Sequence, residues 1–98
     1  TRKKIYCGKI TNWFDRISVA EVLIESEPLR KGDDILIIGE TTGVIEQTVS
    51  EIRVDLKPTE KAAKGVLCSV PVIFPDDIRN PGGKKIRRGD KVYIWMEI

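Results

Sequence analysis

The segment Leu29-Arg30-Lys31-Gly32-Asp33-Asp34-Ile35-Leu36-Ile37 returns near the other end of the chain as Ile86-Arg87-Arg88-Gly89-Asp90-Lys91-Val92-Tyr93-Ile94. Both follow one pattern: apolar, basic, basic, Gly, Asp, any residue, apolar, any residue, Ile. A turn that needs positive φ accounts for Gly32 and Gly89, and a following aspartate can bond nearby backbone amides. The apolar run that comes next reads as a buried strand. The repeat therefore predicts one structural device used twice, with Gly32, Asp33, Gly89 and Asp90 as turn residues. A functional aspartate pair is the weaker reading, because turn bonding already satisfies those carboxylates.

Outward from these turns the chain offers more strands. Residues 5–10 and 17–24 are rich in β-branched side chains, and 35–38 closes on Gly39. Between the first two, Thr11 to Arg16 place turn formers around an aromatic pair, as a hairpin tip would. Pro28 ends the second strand region. Residues 45–54 read as a long strand whose apolar positions 45, 49, 52 and 54 break alternation, which predicts a bulge between 49 and 52. A charged connection over 57–65, with room for one helical turn, leads to a strand over 66–72. A Pro- and Gly-containing loop covers 74–83, and the last strand is 91–98.

Composition agrees with that reading. Ile and Val supply 14 and 9 residues against 5 Leu and 3 Ala, which favours a pleated, half-buried surface over helix. Area scaling lets a chain of 98 residues bury about 65% of its surface, enough for one core without disulfides. Six short-linked strands without a helical pattern predict an all-β, six-stranded Greek-key closed β-barrel, since closure removes exposed edges. The 33% charged content with a single Met fits a thermophile composition. No apolar run nears the ~18 residues of a membrane helix and no signal peptide is visible, so a cytoplasmic domain is expected, with no membrane partner.

Chemistry is constrained by what is absent. There is no histidine, which removes the usual general base and every Ser-His or Cys-His pair. Cys7 and Cys68 lie far apart without CxxC spacing, so they read as reduced core residues, or as a thermophile disulfide if their strands are neighbours. No catalytic residue, metal centre or cofactor is expected. The candidate binding residues are Trp13, Phe14 and Arg16 at the proposed tip, and the basic run Lys84, Lys85, Arg87 and Arg88. The aromatics either stack on bases or an imino-acid-rich peptide, or fold back to cap the barrel end. The basic run either contacts phosphates or is a solvated turn.

A resemblance enters on particular residues. Gly8-Lys9-Ile10-Thr11-Asn12-Trp13-Phe14 leading into Ile17 to Val22, with the two Gly-Asp turns and Ile37-Ile38-Gly39, resembles the barrel of translation elongation factor domain 2. Gly39-Glu40-Thr41-Thr42-Gly43, Glu46 to Val49, Lys57-Pro58 and Ala62-Ala63-Lys64-Gly65 look like the C-terminal barrel of the U32 peptidases, the collagenase-like proteins. That resemblance implies a barrel excised from the C-terminus of a longer chain, whose N-terminal catalytic domain would be its first partner. Some members are linked to collagen degradation and others resemble factors for hydroxylation of transfer or ribosomal RNA. The expected function is an accessory substrate-recognition or domain-positioning barrel, with proteolysis elsewhere in the parent chain. The alternatives are a translation-factor-like barrel binding structured RNA, or a peptidase fragment with unusual carboxylate chemistry.

Overall fold

Strand-forming residues at both ends of the sequence pair with each other in the middle of the sheet. The computed structural model describes residues 1–40, 43–72 and 86–97. Its strands are β1 (Arg2–Phe14), β2 (Val19–Ile24), β3 (Leu29–Arg30), β4 (Asp34–Gly39), β5 (Gly43–Thr48), β6 (Ile52–Val54), β7 (Lys57–Thr59), β8 (Lys61–Ala62), β9 (Leu67–Pro71) and β10 (Lys91–Glu97). Eight form one sheet in the order β5-β4-β10-β1-β2-β9-β6-β7, and β3 pairs with β8 in a separate ribbon. All these ladders are antiparallel.

The all-β expectation holds, but the six-stranded closed barrel does not describe these ladders. Among the described residues no ladder joins the outer strands β5 and β7, so the sheet is open in its hydrogen bonding. Curling does what closure would have done. One buried cluster draws Cys7 and Ile10 from β1, Ile45 from β5, Ile52 from β6 and Ile94 from β10, with Leu29 and Ala62 of the small ribbon. Two register shifts in β1, between Tyr6 and Gly8 and between Ile10 and Asn12, supply the extra twist that bends the sheet around this core.

Several boundaries move for identifiable reasons. β1 runs on to Phe14, so the hairpin tip is residues 15–18, not 11–16. Polar Thr11 and Asn12 are absorbed by the second register shift, where Asn12 Oδ1 accepts the Trp13 amide at 2.9 Å. The long strand expected over 45–54 is two strands, β5 and β6, separated at Val49. The connection over 57–65 holds β7 and β8 and no helix. The loop over 74–83, with Lys84 and Lys85, lies outside the described residues.

The two Gly-Asp turns are equivalent bond for bond. Gly32 and Gly89 have φ of 93° and 90°, which a side chain rarely adopts. The Arg30 amide donates to Asp33 Oδ2 at 2.9 Å, and the Arg87 amide to Asp90 Oδ2 at 3.0 Å. Gly32 N–H donates to the Val49 carbonyl while Val49 N–H donates to that of Asp33, both at 2.8 Å. Gly89 N–H and Ile10 N–H make the matching pair with Ile10 and Asp90 carbonyls, also at 2.8 Å. Each turn therefore clamps a buried residue at which a strand breaks or shifts register. That clamp is why β5 stops short of Val49, and a period-two pattern has no means of announcing it.

Candidate functional site

Beside the core face, β1 and β10 present an outer face whose side chains alternate at period two. From β1 it carries Arg2, Lys4 and Tyr6, and from β10 it carries Lys91, Tyr93 and Trp95. Tyr6 and Tyr93 face each other across the ladder with ring centroids 5.6 Å apart, edge to face. Each ring lies under a cation: Arg2 is 4.9 Å from the Trp95 centroid, Lys4 4.6 Å from Tyr93, and Lys91 5.6 Å from Tyr6. β4 adds Leu36 and Ile38, register partners of Tyr93 and Lys91. At the rim Arg2 pairs with Asp34 at 3.1 Å and Lys9 with Glu25 at 3.8 Å. Tyr6 donates its hydroxyl to Glu25, and that bond holds the phenol pKa up at about 12. Within this surface Trp95 Nε1 is buried and makes no hydrogen bond.

A second surface lies at two hairpin tips. Phe14, Ile17, Leu56 and Pro71 line a groove of about 580 Å³ with Glu51 and Arg53 on its polar side. Phe14, Ile17 and Leu56 are 39%, 67% and 88% exposed. Leu56 is also strained. The β6–β7 hairpin turns on Asp55 and Leu56 at φ of 52° and 66°, the left-handed region that a two-residue loop requires and a leucine disfavours. Leucine at that position exposes apolar surface and costs backbone strain together, which points to a contact at the tip.

The residues singled out from sequence are not brought together. Trp13 packs against the core and only Phe14 faces outward, because neighbouring strand residues point to opposite faces. Arg16 is exposed in the tip. Arg87 and Arg88 are exposed in the second Gly-Asp turn, and Arg87 borders a shallow cavity of about 670 Å³ with Gly39, Asp90, Lys91 and Tyr93. Gly39 is required there, since a Cβ at that position would lie 2.1 Å from Asp90 Oδ1. Cys7 and Cys68 are buried and free, and burial pushes both thiols up to about 12. Among the described residues no three Cys, Asp or Glu side chains converge as metal ligands would. Sequence reading missed Tyr6, Tyr93, Trp95 and Leu56; the i, i+2 spacing of Arg2-Lys4-Tyr6 and Lys91-Tyr93-Trp95 was the available signal.

Comparison with known proteins gives these surfaces a context. No family model matches the chain. It is 48% identical over 93 residues, 95% of its length, to a collagenase of Porphyromonas gingivalis strain W83, and covers 20% of that protein. It is 35% identical over 95 residues to an uncharacterised protease of Methanocaldococcus jannaschii, 97% of this chain and 21% of that one. The chain thus spans about a fifth of the length of these curated relatives. Among solved structures, the C-terminal domain of a Geobacillus thermoleovorans U32 peptidase superposes with a TM-score of 0.75, covering 92% of this chain and 91% of that one at 13% identity. No helix among the described residues is long and apolar enough to cross a membrane. The chain is therefore a homologue of a domain within this collagenase and this protease, and it shares its fold with the C-terminal domain of the Geobacillus thermoleovorans U32 peptidase.

Proposed function

We propose that this chain is the accessory domain of a U32-type protein, seated by its tip groove on the remainder of a longer polypeptide and helping to present a polypeptide substrate to it. Bond cleavage then belongs to the rest of that polypeptide, its N-terminal catalytic domain. The observation that carries this reading is Leu56, 88% exposed at a strained φ of 66° in a groove with Phe14 and Ile17. Supporting it, the matched relatives are named collagenase and protease and are about five times as long. The absence of histidine from all 98 residues argues against base-activated nucleophilic chemistry within the domain.

A second reading, an RNA-positioning module, draws on the cations and rings of the β1–β10 face. That surface carries Arg2, Lys4, Lys9 and Lys91 against Glu25, Asp34, Glu46 and Glu97, so it offers a polyanion no net field. The polypeptide reading is favoured on that ground. The test compares the complete gene product with its Leu56→Asp form, by limited proteolysis at the domain junction and by hydrolysis of gelatin. Faster junction cleavage and slower gelatin hydrolysis support the docked accessory domain. Unchanged proteolysis and hydrolysis would sink it, and salt-sensitive binding of transfer RNA by the unaltered protein would move the reading to RNA.

A further inference from the structure

The β1–β10 face has features that a solvated surface does not need. Trp95 Nε1 is a buried donor without an acceptor, an arrangement that costs free energy as long as it stays unmade. The other polar atoms over the rings are donors as well: the Arg2 guanidinium and the Lys4 and Lys91 ammonium groups. The centre of the face is therefore a donor platform laid over three aromatic rings, and of the four carboxylates around it Glu25, Asp34 and Glu97 are engaged in ion pairs at the rim.

The backbone beneath aims its N–H and C=O groups along the sheet and not out of this face. β1 pairs with β10 over residues 2–9 and with β2 from Gly8 onward, and β10 pairs with β4 over 91–94, so among the described residues of these two strands an unpaired edge remains only at 2–5 and 95–97. A partner lying across the face meets side chains and must bind by its own side-chain faces and by acceptors. Proline supplies that combination, since it has a carbonyl and no N–H, and its ring packs flat on an aromatic face. A polyproline II segment repeats every ~9 Å and keeps its carbonyls free of internal bonds. Trp95 and Tyr6 stand on adjacent strands, two residues out of register, which sets them about 8 Å apart. Successive turns of such a segment would meet Trp95 and then the Tyr6–Tyr93 pair.

We infer that the outer face of β1 and β10 binds an extended, proline-rich polypeptide in the polyproline II conformation, with Trp95 Nε1 donating to one of its backbone carbonyls. The inference rests on the reading of the domain as a recognition accessory, but it uses a different face from the tip groove. The cations above the rings yield at small cost: an exposed cation–aromatic contact and a surface ion pair are each weak and flexible.

The test titrates the 98-residue chain, labelled with ¹⁵N, with a proline oligomer and with a glycine–serine oligomer of equal length. The chain has two tryptophans, so two indole N–H signals are expected, and Trp95→Phe assigns them. The proline oligomer should move the Trp95 indole signal downfield and leave that of Trp13 in place. Trp95→Phe, which keeps a ring and removes the donor, should weaken binding about fivefold. Equal affinity for the glycine–serine oligomer overturns the proline assignment, and an unmoved Trp95 indole signal overturns the site. The signal shift is read on the unaltered chain, so the outcome does not depend on how the variant folds. Leu56→Asp should leave this titration unchanged; failure of groove docking would thus be told apart from failure of this site.

Discussion

Replacing Gly39 with alanine isolates the contact that anchors the second Gly-Asp turn to β4. The new Cβ would sit 2.1 Å from Asp90 Oδ1 and 2.4 Å from its Cγ. Gly39 does not have positive φ, so alanine meets no backbone penalty and the whole effect is the collision. Asp90 is only 8% exposed and its Oδ2 holds the Arg87 amide at 3.0 Å. Pushing the carboxylate aside forfeits a hydrogen bond to a charged acceptor, about 1.5–3 kcal/mol. Forcing a methyl into filled space adds about 1–3 kcal/mol, and the reduced freedom of the unfolded chain returns less than about 1 kcal/mol. The net loss is about 4 kcal/mol, a fall of about 20 °C in Tm for a domain of this size. Urea and thermal unfolding of Gly39→Ala, Asp90→Ala and the double variant measure it. Asp90→Ala alone should cost about 2 kcal/mol. The double variant should cost little more, because the obstruction is gone. A Gly39→Ala loss under about 1 kcal/mol, or a double variant as unstable as the two single losses combined, would refute the reasoning.

Other expectations follow from the same contacts. Trp13→Ala, which empties a core-packed position, should destabilise by about 3 kcal/mol in urea unfolding, while Phe14→Ala should stay within about 1 kcal/mol. Cys7 and Cys68 should resist an aromatic disulfide reagent at mildly alkaline pH until the chain unfolds, since burial keeps both thiols protonated up to about 12. Because the unfolded thiols ionise first, stability should fall as pH rises from about 9 towards about 12, a loss readable as a declining urea midpoint. Glu25→Gln removes the carboxylate that raises Tyr6, so a near-ultraviolet titration should find one tyrosine ionising earlier than in the unaltered chain.

Local chemistry was legible and long-range chemistry was not. The turn at 29–33 and its echo at 86–90 carry their geometry in a glycine and the aspartate beside it, so they can be read without tertiary knowledge. The all-β class follows from β-branched side chains whose preference is felt residue by residue. The break at Val49 is imposed by Asp33 and Gly32, sixteen and seventeen residues away, and the extension of β1 past Thr11 by a register shift against β2. Ring closure is a property of which ladders meet, and the β3–β8 ribbon that helps enclose the core consists of two-residue strands, too short for any pattern. The outer face was missed for another reason: its cations and rings were visible, but only the Arg2-to-Glu97 register joins the two ends of the chain into one surface.

That register sets how the domain comes into being. β10 stands between β4 and β1, and the residues it pairs with lie more than fifty positions away in β4 and more than eighty away in β1. During synthesis β4 with β5, and β1 with β2, β9, β6 and β7, can each assemble while the space between them stays open, two sheet edges facing a gap. Filling the gap is a single late event that depends on seven residues, and it carries Val92 and Ile94 into the core as it happens. Such non-local pairing makes for slow folding. A chain halted before residue 91 would therefore be two partial sheets with sticky inner edges, the state a chaperone would have to guard.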